Sequence, residues 1–353
     1  MPTMQDIADR VGVHQATVSN VLNGKLRATR SDAARRAAEI RRVAVEMGYR
    51  PSAAARAVRT GRTGFVGMLR SPSPACSVLE PLLDAGIDEA LHACGLCLVR
   101  DIVDDISEHQ INDPPPRIVR ENVVDGLLIN YAFGTPPAVR DLLDRCRVPA
   151  IWINRKRDTN CVRPNDEGAA VEATRHLLAH GHRRIAFIPQ PAYEEPAQWE
   201  QHYSVADRQS GYEQAMREAG LTPRIMELPP MSACDFLRVG HLVRSCVQWL
   251  GQPDRPSAVL CGFSGGGRTM LLAAAYAGLR VPEDLSVMTF DNDAGADEHI
   301  AVDRVLVRYR AMGCAAVSEL CVLIDRPDVP RRPVVIPFEF HRTGSVARPK
   351  DVS

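Results

Sequence analysis

The sequence lacks any long apolar run. Its longest continuous apolar stretch, Met270 to Ala277, is far shorter than the about 20 residues that a transmembrane helix requires. No basic segment followed by an apolar run precedes the first predicted helix, so no secretory leader is expected. These absences exclude membrane and secreted classes, and they predict a cytoplasmic protein with no membrane partner.

The formal net charge is zero, but the charged residues are unevenly distributed along the chain. Residues 1 to 62 carry a charge of +7, and the remainder carries −7. A short basic end suits the phosphate backbone of DNA, whereas an acidic bulk does not. The length of 353 residues and the 45% content of hydrophobic residues predict two or three domains with large buried cores.

The sequence contains neither a disulfide framework nor a metal-ligand cluster. Cys94-Gly95-Leu96-Cys97 is a single pair of cysteines, and His180 and His182 only flank a glycine, whereas metal sites need three or four converging ligands. No metal and no other cofactor are therefore predicted. Six of the ten cysteines are predicted to be buried thiols in a reducing compartment: Cys146, Cys161, Cys246, Cys261, Cys314 and Cys321.

The segment from Gly12 to Gly24 has the pattern of a DNA-recognition helix. Thr3 and Asp6 can form a capping box for a preceding helix, and Gly12 permits a tight turn between the two helices. An ordinary helical hairpin with one polar side would show the same apolar spacing. The predicted inward residues are Val13, Val18, Val21 and Leu22, and the predicted outward residues are Gln15, Ala16, Ser19 and Asn20.

Short motifs favour a DNA-recognition helix over an ordinary helical hairpin. They are Asp6-Ile7-Ala8, Gly12-Val13, Thr17-Val18-Ser19, Val21-Leu22-Asn23-Gly24, Gly48-Tyr49-Arg50-Pro51 and Ala55-Arg56. With them, the run from Met4 to Arg59 closely resembles the headpiece of the lac repressor and galactose repressor family. The resemblance continues more weakly to Ser345. It implies a sequence-specific transcriptional regulator, a repressor, that binds a near-palindromic operator as a homodimer.

The resemblance also implies the domain order and the DNA contacts. Residues 1–49 form a helix-turn-helix headpiece, and residues 50–62 form a hinge that becomes helical on DNA, where the family has a leucine wedge and this chain has Val58. A flexible linker with no DNA role is the alternative for the hinge. The predicted DNA-binding residues are Thr3, Gln15, Ala16, Thr17, Ser19, Asn20, Asn23, Arg30, Ala55, Arg56 and Val58.

Beyond Thr63, short apolar strands alternate with amphipathic helices, which predicts parallel sheets with right-handed crossovers. The resemblance implies an α/β, two-lobed core like a periplasmic binding protein, spanning 63–345, with three crossings between lobes. Lobe one is predicted at about 64–163 and 294–322, and lobe two at about 164–293 and 323–345. Residues 346–353 are predicted to form a polar tail without the heptads of a tetramer-forming helix.

Ligands of parallel sheets bind beyond the carboxyl ends of the strands. Arg208 falls where the family has its effector-contacting arginine, and a guanidinium can hold neighbouring hydroxyls or a carboxylate. The ligand class that the resemblance implies is a sugar or sugar derivative, with nucleobases and other small metabolites open. The predicted effector-binding residues are Ser73, Asn130, Tyr131, Asn154, Trp199, Arg208, Phe263, Ser264 and Asp291.

Two other function classes compete with an effector-controlled regulator. Gly262-Phe263-Ser264-Gly265-Gly266 satisfies the nucleophile-elbow pattern of an α/β hydrolase, with Asp291 and then His299 or His341 in the required order. No His-Gly-Gly-Gly oxyanion segment accompanies it, which disfavours an enzyme. A DNA-packaging protein without a ligand would leave some 290 residues of predicted two-lobed core without a role.

Overall fold

A computed structural model describes most of the chain. The chain divides into two compact units, Met1–Thr63 and Gly64–Ser353. The described residues are 2–23, 31–50, 57–58, 60–71, 80–102, 118, 121, 123–131, 141, 143, 145, 148–192, 201–230, 240–292 and 301–350.

Among its described residues, the first unit contains the helices α1 (Met4–Val11), α2 (Gln15–Leu22) and α3 (Ser31–Glu46). The predicted capping box is present at the start of α1, and a left-handed Gly12 (φ 73°) ends that helix. The three helices share one apolar cluster, which explains why such short helices hold together. Its buried members are Ile7, Ala8, Val18, Val21, Ala37, Ile40, Val43 and Ala44.

The described residues of the second unit form two sheets. The first has the strand order β10-β5-β4-β3-β1-β2, with all pairs parallel. The second has the order β11-β9-β8-β7-β6, in which only β11 is antiparallel to its neighbour. The strands are β1 (Phe65–Arg70), β2 (Cys97–Ile102), β3 (Gly126–Asn130), β4 (Ala150–Ile153), β5 (Cys161–Pro164), β6 (Ile185–Ile188), β7 (Ala258–Cys261), β8 (Ser286–Asp291), β9 (Asp303–Leu306), β10 (Val334–Ile336) and β11 (Glu339–His341).

Helices cover both sheets, as expected for parallel strands whose residues are buried on both faces. The strands β3, β6, β7 and β8 are buried along their whole length. Among the described residues, no helix is both long and apolar enough to span a bilayer. The helices that can be bounded within the described residues of this unit are α4 (Pro81–Cys94), α5 (Asp166–Ala179), α6 (Tyr203–Glu218), α7 (Gly240–Leu250), α8 (Gly266–Tyr276) and α9 (Tyr309–Asp325).

The chain crosses between the two lobes three times, after β5, after β9 and after β10. The predicted lobe boundaries were wrong in the last third of the chain. β9 belongs to the sheet of lobe two, although 294–322 had been predicted in lobe one, and β10 pairs with β5 in lobe one. These strands have only three or four residues, and β9 buries Asp303 and Arg304, so they lack the apolar pattern of a strand.

The chain after β11 is hydrogen-bonded to lobe two, whereas a separate polar tail had been predicted from residue 346. The carboxylate of Asp303 accepts hydrogen bonds from the backbone amides of Thr343, Gly344 and Ser345. Further along, the carbonyl of Ala347 accepts a hydrogen bond from buried His182 at 2.8 Å. The predicted tail from 346 is therefore attached to lobe two as far as the described chain extends.

In lobe one, α4 and α9 pack with their backbones in close contact. A Cβ atom at Gly86 would lie 2.2 Å from the carbonyl oxygen of Arg310, and one at Gly313 would lie 2.5 Å from that of Leu83. Since Leu83 lies near Gly313 and Cys94 lies near Cys321, the two helices run in the same direction. An Arg310–Glu89 ion pair spans the same contact.

Candidate functional site

The second helix of the first unit presents a polar face. Val18 and Val21 are buried in the three-helix cluster. Gln15, Ala16 and Asn20 are exposed, and Thr17 and Ser19 are half-buried. Side chains of this size fit a major groove about 12 Å wide, and Gln and Asn can pair bidentately with adenine. The arrangement provides a surface that can read bases.

Two predicted DNA contacts also stabilise helix ends. The side chain of Asn23 donates to the carbonyl oxygen of Ser19 at 2.7 Å and to its hydroxyl oxygen at 3.1 Å. Thr3 exchanges hydrogen bonds with Asp6 in the capping box. The hydrogen-bonded Asp6 carboxylate has its pKa lowered by Thr3. Thr3 and Asn23 therefore fix the geometry of the two helices as well as facing solvent.

Several predicted residues lie outside the described part of the chain. These residues are Arg30, Ala55, Arg56, Ser73 and Trp199. Val58 of the predicted hinge is described, and 90% of its surface is exposed.

In the second unit, the carboxyl ends of the strands bring together a buried ion pair. Nε of Arg208, on α6, donates to Oδ1 of Asp166 at 2.7 Å, and Nη1 donates to the carbonyl oxygen of Gly262 at 2.9 Å. The Arg208 side chain is 12% exposed and that of Asp166 is fully buried. Gly211 permits this geometry, because a Cβ there would lie 2.2 Å from the carbonyl oxygen of Glu167 at the start of α5.

This ion pair has unused hydrogen-bonding capacity. Within the described residues, Oδ2 of Asp166 is buried with no partner, and Nη2 of Arg208 makes no hydrogen bond. A buried acceptor without a partner costs about 1–3 kcal/mol, so such groups are usually paired by a ligand or water. Asp166 begins α5, where the helix dipole also favours a negative charge.

Aromatic rings support the guanidinium of Arg208. Its Cζ lies 4.4 Å from the ring centroid of Phe290 and 5.9 Å from that of Phe338. Phe338 lies in the third crossing between lobes and packs against the apolar clusters of both. Arg208 therefore contacts a segment that joins the two lobes.

Polar groups at the end of β8 extend the site. Ser264 donates to Oδ1 of Asp291 at 2.6 Å. The next residue, Asn292, donates to Glu80 at 2.9 Å and accepts from the hydroxyl of Tyr309 at 3.3 Å. Burial raises the pKa of Tyr309, which stays protonated as a donor. We call Asp166, Arg208, Ser264, Asp291 and Asn292 the strand-end site.

A second set of contacts joins the lobes near the strand-end site. The backbone carbonyl of Asn154 accepts a hydrogen bond from Nε2 of His202 at 2.9 Å, and its side chain accepts one from the hydroxyl of Tyr203 at 3.2 Å. Lys156 pairs with Asp207 at 2.8 Å. Asn154 has a positive φ of 55°, a conformation that Asn tolerates better than most residues.

Burial lowers the pKa of His202 to about 4, although the Asn154 carbonyl opposes this shift. The imidazole is therefore neutral near pH 7. Its Nε2 carries the proton, because a carbonyl oxygen can only accept, and Nδ1 accepts from the hydroxyl of Ser204 at 2.7 Å. Burial also raises the pKa of Tyr203.

Two family profiles match this chain. "Bacterial regulatory proteins, lacI family" matches residues 3–52, and "Periplasmic binding protein-like domain" matches residues 174–346. The chain is 30% identical over 302 residues to the HTH-type transcriptional repressor PurR of Pectobacterium carotovorum, covering 83% of this chain and 81% of the relative. It is 31% identical over 296 residues to PurR of Erwinia tasmaniensis, with the same coverage.

The chain belongs to the LacI family. Solved structures of the family share its fold. The lac repressor dimer bound to operator and the anti-inducer ONPF matches with a TM-score of 0.71 at 22% identity, covering 98% of this chain and 99% of that chain. The transcriptional regulator CelR in complex with cellobiose matches with a TM-score of 0.61 at 22% identity, covering 98% and 100%.

As a LacI-family member, the protein is a DNA-binding transcriptional regulator and not an enzyme, since the matched relatives are DNA-binding repressors. Ser264 had been the candidate hydrolase nucleophile. Its hydroxyl donates directly to a carboxylate, whereas a nucleophile elbow needs an imidazole base at that place. Of the candidate histidines, His341 contacts Arg304, and His299 lies outside the described residues.

Three predicted effector residues lie in or beside packed cores. Tyr131 has no exposed surface and belongs to the apolar cluster of β1, β3 and β4. Phe263 packs in the cluster of lobe two, and Asn130 is 2% exposed at the end of β3. Asn154, Arg208, Ser264 and Asp291 lie among the polar contacts described above.

Sequence reasoning missed Asp166, His202 and Tyr309. Asp166 follows a strand too short to predict, although its position before Gly168 at a helix start was a usable signal. His202 immediately precedes α6, and Tyr309 is the first residue of α9. The starts of these two helices were not predicted.

Proposed function

We propose that this regulator is a repressor whose affinity for operator DNA is controlled by a small molecule bound at the strand-end site. The observation that carries the proposal is the buried Arg208–Asp166 pair, which keeps one donor and one acceptor unused among the described residues. A ligand that supplies an acceptor to Arg208 and a donor to Asp166 would complete the hydrogen bonding of both side chains. Neighbouring hydroxyls on one molecule provide this combination.

The effector that fits this pattern is a sugar or sugar derivative. Carbohydrate hydroxyls both donate and accept, and they match the acceptor of Asp166, the donor of Arg208 and the polar groups of Ser264 and Asp291. The regulator CelR, solved in complex with cellobiose, has the same fold. A thermal-shift screen of sugars against nucleobases separates the two ligand classes, because a bound ligand stabilises the folded core. Stabilisation by nucleobases alone would contradict a carbohydrate effector.

The DNA partner is proposed to be a near-palindromic operator bound by a homodimer. One recognition helix contacts only a few base pairs, and twofold symmetry doubles the sequence that is read. The solved lac repressor complex is described as a dimer bound to operator. Selection from random duplexes can recover the operator, and its affinity can then be compared with that of an isolated half-site. A dimer should bind the full operator more tightly than the half-site, whereas a monomer would bind both equally.

Asn20→Ala is expected to weaken operator binding by about 1–3 kcal/mol and to relax the choice at one base pair. Asn20 is exposed on α2 and can pair bidentately with adenine. Mobility-shift titrations against operators varied at each position measure the effect. Gln5→Ala, an exposed change on α1, is the control and should leave base preference intact. Equal weakening on every sequence would make Asn20 a phosphate contact.

The effector and the operator should influence each other's affinity equally. Closure of the lobes on a ligand is proposed to shift the paired 50–62 hinges, which are too short to remain helical alone. A coupling of about 1–3 kcal/mol is usual, and linkage requires it to be reciprocal. Calorimetry of the effector found by the screen, with and without operator DNA, measures it. Identical effector affinities in the two titrations would disconnect the pocket from the hinge.

A further inference from the structure

Two thiols are in contact at the far end of the α4 and α9 helix pair. Cys94 is the last residue of α4, and Cys321 lies one turn before the end of α9. Their sulfur atoms are 3.8 Å apart, and 227 residues separate them in the sequence. Cys94 is exposed and Cys321 is half-buried. Sequence analysis had predicted Cys321 to be buried and no disulfide to form.

The helix pair holds these thiols together without needing any rearrangement of the fold. Gly86 and Gly313 set the close approach of the two backbones, and Arg310 pairs with Glu89 between them. A disulfide requires a sulfur separation of about 2.05 Å. Cys94 is adjacent to Gly95, whose left-handed backbone ends α4. Small side-chain rotations at this helix end can therefore bring the sulfurs together.

The other described cysteines differ from this pair. Cys246 and Cys261 are buried, and burial raises the pKa of both thiols, to about 12 for Cys246. Burial likewise raises the pKa of Cys161 and Cys314, and their thiols donate to backbone carbonyls. Because the thiolate is the reactive form, a raised pKa makes these four thiols less reactive toward oxidants. Among the described residues, only Cys94 combines exposure with contact to a second thiol.

We propose that Cys94 and Cys321 form a reversible disulfide when the protein is oxidised by a peroxide. The Cys94 thiolate attacks one peroxide oxygen, the O–O bond breaks, and Cys94 becomes a sulfenic acid. The Cys321 thiol then attacks the Cys94 sulfur, forming the S–S bond and releasing water. Two thiols lose two electrons in total, and hydrogen peroxide is reduced to two waters. A thiol reductant reverses the reaction by exchange.

The disulfide would fix a helix pair whose opposite end touches the strand-end site. Glu80 immediately precedes α4, Tyr309 begins α9, and both contact Asn292 of lobe two. A crosslink between the far ends of two parallel helices limits the relative movement of their starts. It also closes a long loop in the unfolded chain, so we expect the melting temperature of the oxidised core to rise by about 5 °C.

The test treats the purified full-length protein with hydrogen peroxide and counts thiols after denaturation. We expect two of the ten thiols to disappear, the mass to fall by about 2 Da, and dithiothreitol to restore both values. Cleavage after Arg and Glu, which spares the Arg326–Pro327 bond, isolates 90–100, with Cys94 and Cys97, and 320–331, with Cys321 alone. Mass spectrometry should detect these two peptides linked without reduction.

Single substitutions identify the partners. Cys94→Ser and Cys321→Ser should abolish the linked peptides and the rise in melting temperature. Cys97→Ser is the matched control, because Cys97 is also exposed, and it should preserve both. A Cys94–Cys97 link, a disulfide between chains, or oxidation of Cys94 to sulfinic acid without a crosslink would each overturn the proposal. Unchanged melting of the variants under reducing conditions checks that they fold.

Discussion

Arg208→Ala is expected to abolish the response to effector while specific operator binding survives. The substitution removes the only described cation that contacts Asp166 and the donor that remains for a ligand. The charge-assisted hydrogen bond from Nη2 to an effector would be lost, so its affinity should fall by about 100-fold, equivalent to about 2.7 kcal/mol. Calorimetry with the effector and mobility shifts with operator DNA measure the two functions separately.

The same substitution is expected to destabilise the core, and this effect must be separated from ligand binding. Without Arg208, the fully buried Asp166 carboxylate loses its partner, which typically costs 3–5 kcal/mol. The double variant Asp166→Asn with Arg208→Ala removes that buried charge, so it should recover stability but not effector binding. Recovery of effector binding in the double variant would show that Arg208 acts only through folding.

Two further variants complete the design. Arg208→Lys keeps the charge but loses the fork that reaches Asp166 and Gly262 together, so we expect weakened effector binding with little loss of stability. Arg217→Ala lies on the same helix, where its exposed pair with Glu213 contributes about 0–1 kcal/mol. It should bind effector normally. An equal loss of effector affinity in Arg217→Ala and Arg208→Ala would place the pocket elsewhere.

The sequence was sufficient to predict the elements whose signals are local. The capping box of Thr3 and Asp6, the buried spacing of Val18 and Val21, and the apolar strands of both sheets follow from nearby residues. The motifs of the headpiece are sufficient to indicate the family from the sequence alone. These are the regions where propensity, pattern and packing agree.

The lobe boundaries and the partners of Arg208 depend on contacts between distant residues. β10 has three residues and forms only by pairing with β5, about 170 residues earlier in the chain. Asp166 becomes a partner of Arg208 only because Gly211 permits α5 and α6 to approach. No local pattern shows such a contact, and a single sequence carries no covariation to suggest it.

Lowering the pH from 7 to 4.5 is expected to destabilise the core partly through His202. This imidazole joins the lobes through Asn154, and burial lowers its pKa to about 4, against about 6.5 in an unfolded chain. Between these values the unfolded chain binds the proton and the folded chain does not, so stability falls as the pH falls. One residue then contributes a loss of about 2–3 kcal/mol by pH 4.5.

Urea unfolding of the wild type and of His202→Gln at both pH values isolates this contribution. Gln does not titrate and can still donate a hydrogen bond to the Asn154 carbonyl, so the variant should lose about 2–3 kcal/mol less than the wild type across this range. His92→Gln, at an exposed position on α4, is the matched control and should lose as much as the wild type. Identical pH dependence in the wild type and His202→Gln would mean that His202 is protonated in the folded protein as readily as in the unfolded chain, and that burial between the lobes does not keep it neutral.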